Sequence, residues 1–313
     1  MRSTRSTAER LFALGEQAEL LPDLIARGQN IPAPDEEVEW LAGYDIVQQQ
    51  TAWLPLAALT IGQTHDGRAP PRYWSSTDGL ASGNLLIEAA LHGVLERIER
   101  DAAALWRLRS PTYVARRCIS PASLGDAALS ALTSRVEQAG FELRLFDMTT
   151  DIGVPAFFCV IAANMARSPH AWKRFDLVSG SGCHPDPARA AVRALTEAAQ
   201  SRATIISGAR DDFLPSLYEA PLPPDLLAYV NAKASKAPPV PQTGKFDGPA
   251  KLLGWVAERL EACGLGRVIV APLSNPSEDY AVVKVVIPGL EHPSGARRIA
   301  AGTRALRLML DFG

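Results

Sequence analysis

The chain contains the stretch GLASGNLLIEAALHGVLERIER at residues 79–100 and a related stretch, SGSGCHPDPARAAVRALTEAAQSR, at residues 179–202. Each has a glycine-rich part followed by apolar residues at the spacing of a helix. Each helical part carries two polar residues three positions apart: Glu96 and Glu99 in the first copy, Glu197 and Gln200 in the second. The two copies share the same order of apolar and polar positions. This predicts two pseudo-repeated strand–Gly-rich turn–helix halves.

The rest of the chain alternates short apolar runs with amphipathic segments, which is typical of an α/β fold. We predict strands at 141–150, 154–164, 267–274 and 280–289, and helices at 85–106, 187–203 and 248–264. The fold class is therefore α/β, with mixed sheets and packed helices built from the two related halves. We predict that residues 1–45 form an N-terminal helical segment and linker, with a helix over 7–27 broken at Pro22, and that residues 46–313 form one domain. The proline-rich stretch 221–244 reads as a surface loop.

The composition is that of an ordinary globular protein, with 313 residues, 47% hydrophobic, 21% charged and a net charge of −2. It lacks the basic excess of a nucleic-acid-binding protein and an apolar run of about 18 residues that could span a bilayer. The N-terminus has no apolar core of a signal peptide. Cysteines 118, 159, 183 and 263 are too widely spaced for a zinc or disulfide framework. We expect a cytoplasmic protein with reduced thiols.

The acidic face of the first helical stretch has two interpretations. On a helical wheel, Glu88, His92, Glu96 and Glu99 lie within roughly 80° of one another, opposite an apolar arc. Such a stripe is common on a solvated helix surface. Carboxylates one turn apart repel each other unless a cation holds them, however, and a helix that begins after a glycine-rich segment favours anions. Because Mg²⁺ takes oxygen ligands and leaves room for water and phosphate, we favour a metal–nucleotide site to which both copies contribute.

Three blocks of the sequence together resemble the YcaO domain family. They are SSTDGLASGNLLIEAALHGVLERIERDAAALW (75–106), SGSGCHPDPARAAVRALTEAAQSRATIISGARDD (179–212) and VVKVVIPGLE (282–291). The resemblance covers roughly residues 75–310 and implies an enzyme that uses ATP and Mg²⁺ to activate a peptide-backbone amide. The amide oxygen takes the γ-phosphoryl group, and the carbon is then attacked. A neighbouring Cys, Ser or Thr gives an azoline, and an external sulfur donor gives a thioamide.

The resemblance also implies roles for individual residues. Glu96 and Glu99 match the family's first magnesium-binding pair, and Glu197 and Gln200 match its second motif, so these four are the expected catalytic and metal residues. The expected cofactor-binding residues are Arg202, His184, Arg304 and Glu88. Further residues are left open: Asp101 and Glu88 as flanking support, His184 and Asp186 as substrate-facing or as turn-stabilising groups, and Arg210, Asp211 and Asp212 as peptide-facing or as a loop ion-pair cluster. Cys183 is adjacent to His184, and because neighbours in a turn rarely face each other we do not expect a thiol mechanism.

Two departures from the family pattern shape the functional expectation. Many members carry a T-R … T-G-x-D … G-I-P … R-P segment before the first helix, which we do not find in residues 1–60, so we expect a shortened or divergent member. The chain ends LRLMLDFG instead of a proline-rich tail, which favours the thioamide branch with a TfuA-like partner over azoline formation. A homodimer is compatible with the resemblance.

Other functions remain open at this stage. The chain is alternatively a non-catalytic member that binds peptide or scaffolds a modification complex, or an accessory factor for ribosomal protein methylthiolation. A third interpretation is an unrelated α/β protein whose acidic stripe is only surface.

Overall fold

The structure is a computed structural model. It describes residues 2–61, 71–74, 76–164, 172–208, 210–211, 213–234, 246–292 and 301–310. The chain divides into two compact units. The first unit comprises Met1–Leu105 and Phe246–Gly313, and the second comprises Trp106–Lys245.

The secondary structure alternates between strands and helices along the chain. The strands are β1 (Ser3–Ser6), β2 (Gln17–Ala18), β3 (Val38–Asp45), β4 (Gln50–Pro55), β5 (Leu80–Gly83), β6 (Cys118–Ile119), β7 (Phe141–Asp147), β8 (Ala156–Ala163), β9 (Leu177–Cys183), β10 (Ile269–Pro272) and β11 (Ala281–Val286). The helices are α1 (Ala8–Ala13), α2 (Leu56–Leu59), α3 (Leu86–Trp106), α4 (Pro111–Arg116), α5 (Ala127–Gln138), α6 (Pro187–Ser207), α7 (Pro215–Glu219), α8 (Leu227–Asn231), α9 (Pro249–Ala262) and α10 (Thr303–Leu310).

The first unit is built on a sheet of the order β2-β4-β3-β10-β11-β5, with β1 added beside β3. Its strand pairs are antiparallel apart from β2 and β4. The strand β11 is rich in β-branched residues, as suits a strand with neighbours on both sides. Lys284 is its exception: it pairs with Ala271 on one side and Leu80 on the other, and is 4% exposed.

Helix α3 approaches β11 closely because glycines stand at the contact. A Cβ atom on Gly93 would lie 2.5 Å from Val285 Cγ2, and one on Gly79 would lie 2.3 Å from the Val285 carbonyl oxygen. The face of α3 that the sequence marks as apolar is buried, at Ala89, Ala90, Val94, Leu95 and Ile98. The opposite edge of the same helix carries the glutamates.

The second unit is built on the antiparallel sheet β6-β7-β8-β9, covered by α5 and α6. A Cβ atom on Gly180 would lie 2.3 Å from the Ala198 backbone nitrogen, and one on Gly182 would lie 2.3 Å from the Ala190 carbonyl oxygen. The glycines of β9 and the buried alanines of α6 therefore let a helix backbone pack directly on a strand. This is a packing reason for the glycine-rich segment, additional to the anion-binding reason inferred from the sequence.

The N-terminal region differs from the prediction of a helical segment over 7–27. Helix α1 ends at Ala13, and Gly15 has a positive φ of 75°, which terminates the helix. The following residues, Gln17–Ala18, pair with β4, and Pro22–Leu24 form a 3₁₀ turn. The division predicted at 45/46 is also placed differently: Asp45 is the last residue of β3, and residues on both sides of it are paired in one sheet.

The long elements agree with the sequence-based prediction. Helices α3, α6 and α9 and strands β7, β8, β10 and β11 lie where the apolar pattern indicated. The predicted loop at 221–244 includes the short helix α8, while 235–245 lie outside the described residues. Each unit contains a strand followed by a helix of 21 residues, β5–α3 and β9–α6, and the repeat relationship itself remains a prediction. Within the described part of the chain, no helix is long and apolar enough to cross a membrane.

Candidate functional site

The acidic pair of α3 is largely buried. Glu99 is 4% exposed, and the Glu96 side chain is 18% exposed. The Arg100 Nη2 atom lies 3.6 Å from Glu96 Oε1 and 4.0 Å from Glu99 Oε1, so one guanidinium serves both carboxylates. This burial argues against the alternative of a merely solvated surface stripe.

The electrostatics of the pair are those of a site with excess negative charge. Burial raises the pKa of Glu96, Arg100 opposes this, and Asp78 and Glu99 raise it further. Arg100 is also shared with Asp78, whose Oδ1 lies 3.9 Å from Arg100 Nε. Asp78 also faces Arg97, so the two glutamates have only a share of one arginine, which favours a further cation.

The donor set fits Mg²⁺ in chemistry, because Mg²⁺ prefers carboxylate oxygens and is bound through one or two of them together with waters and phosphates. Among the residues that the structure describes, no group of three or more His, Cys, Asp or Glu side chains is positioned to hold a metal ion. Metal coordination by Glu96 and Glu99 remains a prediction.

Two predicted site residues on the first unit have clear structural partners. The carboxylate of Glu88 accepts a hydrogen bond from the Asn84 backbone N–H at 3.1 Å, at the start of α3. Arg304 Nε donates to Asp101 Oδ1 at 3.0 Å, and Asp101 is fully buried. The nucleotide-contact roles inferred for Glu88 and Arg304 remain predictions.

Buried hydrogen bonds around Arg304 connect α10 to α3. The Glu291 N–H donates to Asp101 Oδ1, and the Glu291 carboxylate accepts from the N–H groups of Gly302 and Ala305. A Cβ atom on Gly302 would lie 2.6 Å from Glu291 Oε1. The P-G-L-E segment (288–291) and the G-T-R-A segment (302–305) therefore bind each other. Together they connect helix α10 to Asp101 of α3, two positions after Glu99.

The second polar pair lies on α6. Glu197 Oε2 accepts hydrogen bonds from the Ser181 N–H at 2.5 Å and from Ser181 Oγ at 3.1 Å, so β9 fixes the orientation of this carboxylate. Gln200 is exposed, close to one turn further along the helix. These two residues belong to the second unit, while Glu96 and Glu99 belong to the first. The expectation that both pairs serve one cation cluster stays a prediction.

The remaining predicted residues of the second unit are held by local contacts. The Arg202 guanidinium lies 4.1 Å from the centre of the Phe141 ring. His184 Nδ1 accepts from the Asp186 N–H at 2.9 Å, and Asp186 caps α6 through the Ala188 N–H. Burial lowers the pKa of His184, and the charge of Arg189 adds to this. These contacts match the turn-stabilising alternative for His184.

The other open residues are placed as follows. Cys183 is fully buried beside His184. Arg210 lies 5.1 Å from the Phe213 ring centre, and Asp212 lies outside the described residues.

A buried charged cluster lies in the first unit beside the acidic pair and was not predicted from the sequence. It consists of Asp78, Arg97, Lys284 and His292, which line one end of a small cavity. Burial lowers the pKa of Lys284 to about 8, although Asp78 opposes the shift. Burial raises the pKa of Asp78, but the hydrogen bond from His292 and the charges of Arg97 and Arg100 outweigh it and bring the pKa to about 2. A lysine inside the run VVKVV was the one sequence signal of this cluster.

The chain is similar to known proteins in both sequence and fold. The family model described as YcaO cyclodehydratase, ATP- and Mg²⁺-binding, matches residues 17–291. A protein encoded in the tfuA 3′ region of Rhizobium leguminosarum bv. trifolii is 40% identical over 97% of this chain and 72% of its own length.

Solved structures with the same fold include two that are informative here. The heterocyclase TruD matches with a TM-score of 0.73 and 24% identity, over 99% of this chain and 45% of TruD. YcaO from Methanopyrus kandleri, bound with AMPPCP and Mg²⁺, matches with a TM-score of 0.66 and 22% identity, over 90% of this chain and 70% of that chain. The chain thus spans less than half of TruD. These likenesses confirm the predicted mixed α/β fold.

Proposed function

The chain belongs to the YcaO family, and from this premise we propose that it uses ATP and Mg²⁺ to activate a backbone amide in a ribosomally made peptide or protein. The family is ATP- and Mg²⁺-binding, which confirms the cofactors predicted from the sequence. The observation that carries the proposal is the burial of Glu96 and Glu99 around one shared arginine.

In the proposed reaction, the amide oxygen takes the γ-phosphoryl group of ATP, and ADP leaves. A nucleophile then attacks the amide carbon, and phosphate leaves. An amide oxygen is a poor leaving group until it is phosphorylated, so the protein has to position the two reactants and stabilise charge. Described side chains offer no convincing nucleophile, in line with catalysis by positioning and electrostatics.

Four residues are proposed to hold the metal ions: Glu96, Glu99, Glu197 and Gln200. Bound Mg²⁺ neutralises charge on the transferring phosphoryl group. Arg100 keeps the glutamates of the first pair together before a cation binds. Ser181 orients Glu197 by two hydrogen bonds to one oxygen and leaves the other oxygen for a ligand.

We favour a thioamide product, made with an external sulfur donor and a TfuA-like partner, over an azoline. This is supported by the 40% identical relative encoded in a tfuA 3′ region. The peptide substrate and the partner are part of the same proposal.

A second candidate is a non-catalytic member that binds peptide or scaffolds a modification complex. It is favoured by the contacts of Arg202 and Arg304, which engage Phe141 and Asp101 in this structure. Calorimetry with Mg-ATP separates the two candidates, because only the enzyme requires binding heat.

The test of the enzyme is phosphate release from purified protein with ATP, Mg²⁺, partner and peptide. We expect Glu96→Gln and Glu197→Gln to reduce the rate by about 100-fold or more, since each removes a proposed metal ligand. Glu258→Gln, at an exposed position of α9, is the matched control and should retain the rate. Full activity of both site variants would refute the assignment.

A further inference from the structure

The cavity beside the acidic pair has one apolar end and one polar end. The apolar end is lined by Leu21, Leu24, Ala58, Pro288 and Leu290, and the polar end by Ser76, Asp78, Arg97, Lys284 and His292. A cavity with apolar walls and a few converging polar groups is the usual form of a small-molecule site.

Two cationic side chains at the polar end have unused donors. Arg97 is 2% exposed; its Nη2 donates to the carbonyl oxygens of Leu290 and Glu291, at 3.3 and 3.2 Å. Its Nη1 has no hydrogen-bond acceptor among the described residues and lies 3.7 Å from Asp78 Oδ2. Lys284 Nζ donates to the Ser76 carbonyl oxygen, which leaves two of its three protons for other acceptors.

The imidazole of His292 is neutral in this cluster. Its Nδ1 lies 3.2 Å from Asp78 Oδ2, and its Nε2 lies 3.3 Å from Arg97 Nη2. Because an arginine only donates, Nε2 accepts, and the proton is on Nδ1, where it reaches Asp78. The ring therefore adds no charge.

The polar end carries one positive charge in excess. Arg97 and Lys284 contribute two, and Asp78 removes one. Next to the cluster, Arg100 faces both Glu96 and Glu99, at 3.6 and 4.0 Å, so this neighbouring group carries one negative charge. Asp23 at the opposite rim is exposed and accepts from the Gly289 N–H. Buried cations with unused donors are costly, and an anion that accepts from both Arg97 and Lys284 removes that cost.

We propose that this cavity binds a small organic monoanion, a carboxylate with a short aliphatic body. The carboxylate accepts from Arg97 Nη1 and Lys284 Nζ, and the aliphatic body lies against the wall formed by Leu21, Leu24 and Ala58. This ligand is separate from the nucleotide and from the metal ions proposed above.

Ligand-observed NMR with butyrate, acetate and inorganic phosphate tests the assignment on the full-length protein. We expect butyrate to bind more tightly than acetate or phosphate, because only butyrate uses both ends of the cavity. Lys284→Gln should weaken butyrate binding by about tenfold or more, since a hydrogen bond to a charged group is lost. Lys251→Gln, at an exposed lysine of α9, should bind as the wild type does.

A second variant keeps the test valid if Lys284→Gln folds poorly. Ala58→Leu fills part of the apolar end and leaves the cations in place, so it should remove the preference for butyrate over acetate. Equal binding by wild type and both variants would overturn the proposal, and so would stronger binding of phosphate. Displacement of butyrate by Mg-ATP would also overturn it, because the cavity would then belong to the nucleotide. None of these measurements depends on catalytic activity, so they stand apart from the test of the enzyme.

Discussion

Asp101 shows how a single buried charge ties two distant segments of the chain together. It is fully buried and accepts from Arg304 Nε and from the Glu291 N–H. Burial raises its pKa, and Arg304 is the main group that opposes this. The arginine that the family resemblance marks for phosphate is therefore also the partner that counters the effect of burial on this carboxylate.

Removing that partner should destabilise the protein strongly. We expect Arg304→Ala to lower the free energy of unfolding by about 3–5 kcal/mol, because it leaves an unpaired charge in the interior. Arg307→Ala, an exposed position on the same helix α10, should change it by less than about 0.5 kcal/mol. Urea unfolding measures both. If Arg304→Ala lowered the free energy of unfolding no more than Arg307→Ala does, the contact between Arg304 and Asp101 would not contribute to stability.

Lys284 gives a pH dependence with a defined sign. Burial lowers its pKa from 10.5 to about 8 in the folded protein, so between these values the unfolded chain binds more protons. Stability of the wild type should therefore rise with pH across this window. Relative to Lys284→Met, the gain should reach up to about 3 kcal/mol. Unfolding curves of both proteins at pH 8 and 10.5 check this, and a constant difference would contradict it.

The sequence predicted the glutamate pairs but not the cluster around Lys284. A pair at helical spacing is visible in one dimension, because the helix itself brings Glu96 and Glu99 to one face. Asp78, Lys284 and His292 come from three separate segments, and only β11 pairing and the packing of α3 bring them together. A single lysine in a buried strand indicates that the lysine has a partner, but it does not indicate which residue that partner is.

At the scale of elements, the glycines decide how closely helix and strand approach. The strand β9 presents Gly180 and Gly182 to the alanine face of α6, and the same helix carries Glu197 and Gln200. The distance from β9 to α6 is short enough for Ser181 to bind Glu197. The packing of α6 on β9 therefore also determines the orientation of Glu197.

A side chain at Gly180 should disrupt this contact. We expect Gly180→Ala to destabilise the protein by about 2–4 kcal/mol, because its Cβ would lie 2.3 Å from a backbone atom of α6 that cannot give way. Gly254→Ala is the matched control: its Cβ meets nothing within 4 Å inside α9, and it should stabilise by about 0.5–1 kcal/mol. Thermal unfolding of the two variants measures the contrast, and similar shifts in both would refute the packing argument.

The elements that could be predicted are those whose apolar period is long. Helices α3 and α6 extend over several turns of regular spacing, and the β-branched run of β11 marks a buried strand. The helix predicted over residues 7–27 was wrong because α1 is only 6 residues long and a two-residue strand follows it. Pairing of β2 with β4 overrides the weak helical pattern there. This long-range contact cannot be predicted from the local sequence.

At the scale of the whole molecule, the proposed metal ligands come from two units of one chain. The first unit carries Glu96 and Glu99, and the second carries Glu197 and Gln200. If one nucleotide–metal cluster uses both pairs, binding links the units thermodynamically, since a ligand stabilises every segment that contributes contacts.

Hydrogen exchange with Mg-AMPPCP tests that link directly. We expect slower amide exchange in α3 and in α6 together, because both helices hold ligands of the same ions. Glu197→Gln should abolish the protection in α3 as well as in α6, although the substituted residue lies on α6 alone. Glu258→Gln on α9 should leave both effects intact. Protection confined to one helix, or α3 protection that survives Glu197→Gln, would show that the two pairs act separately and would withdraw the second pair from the proposed site.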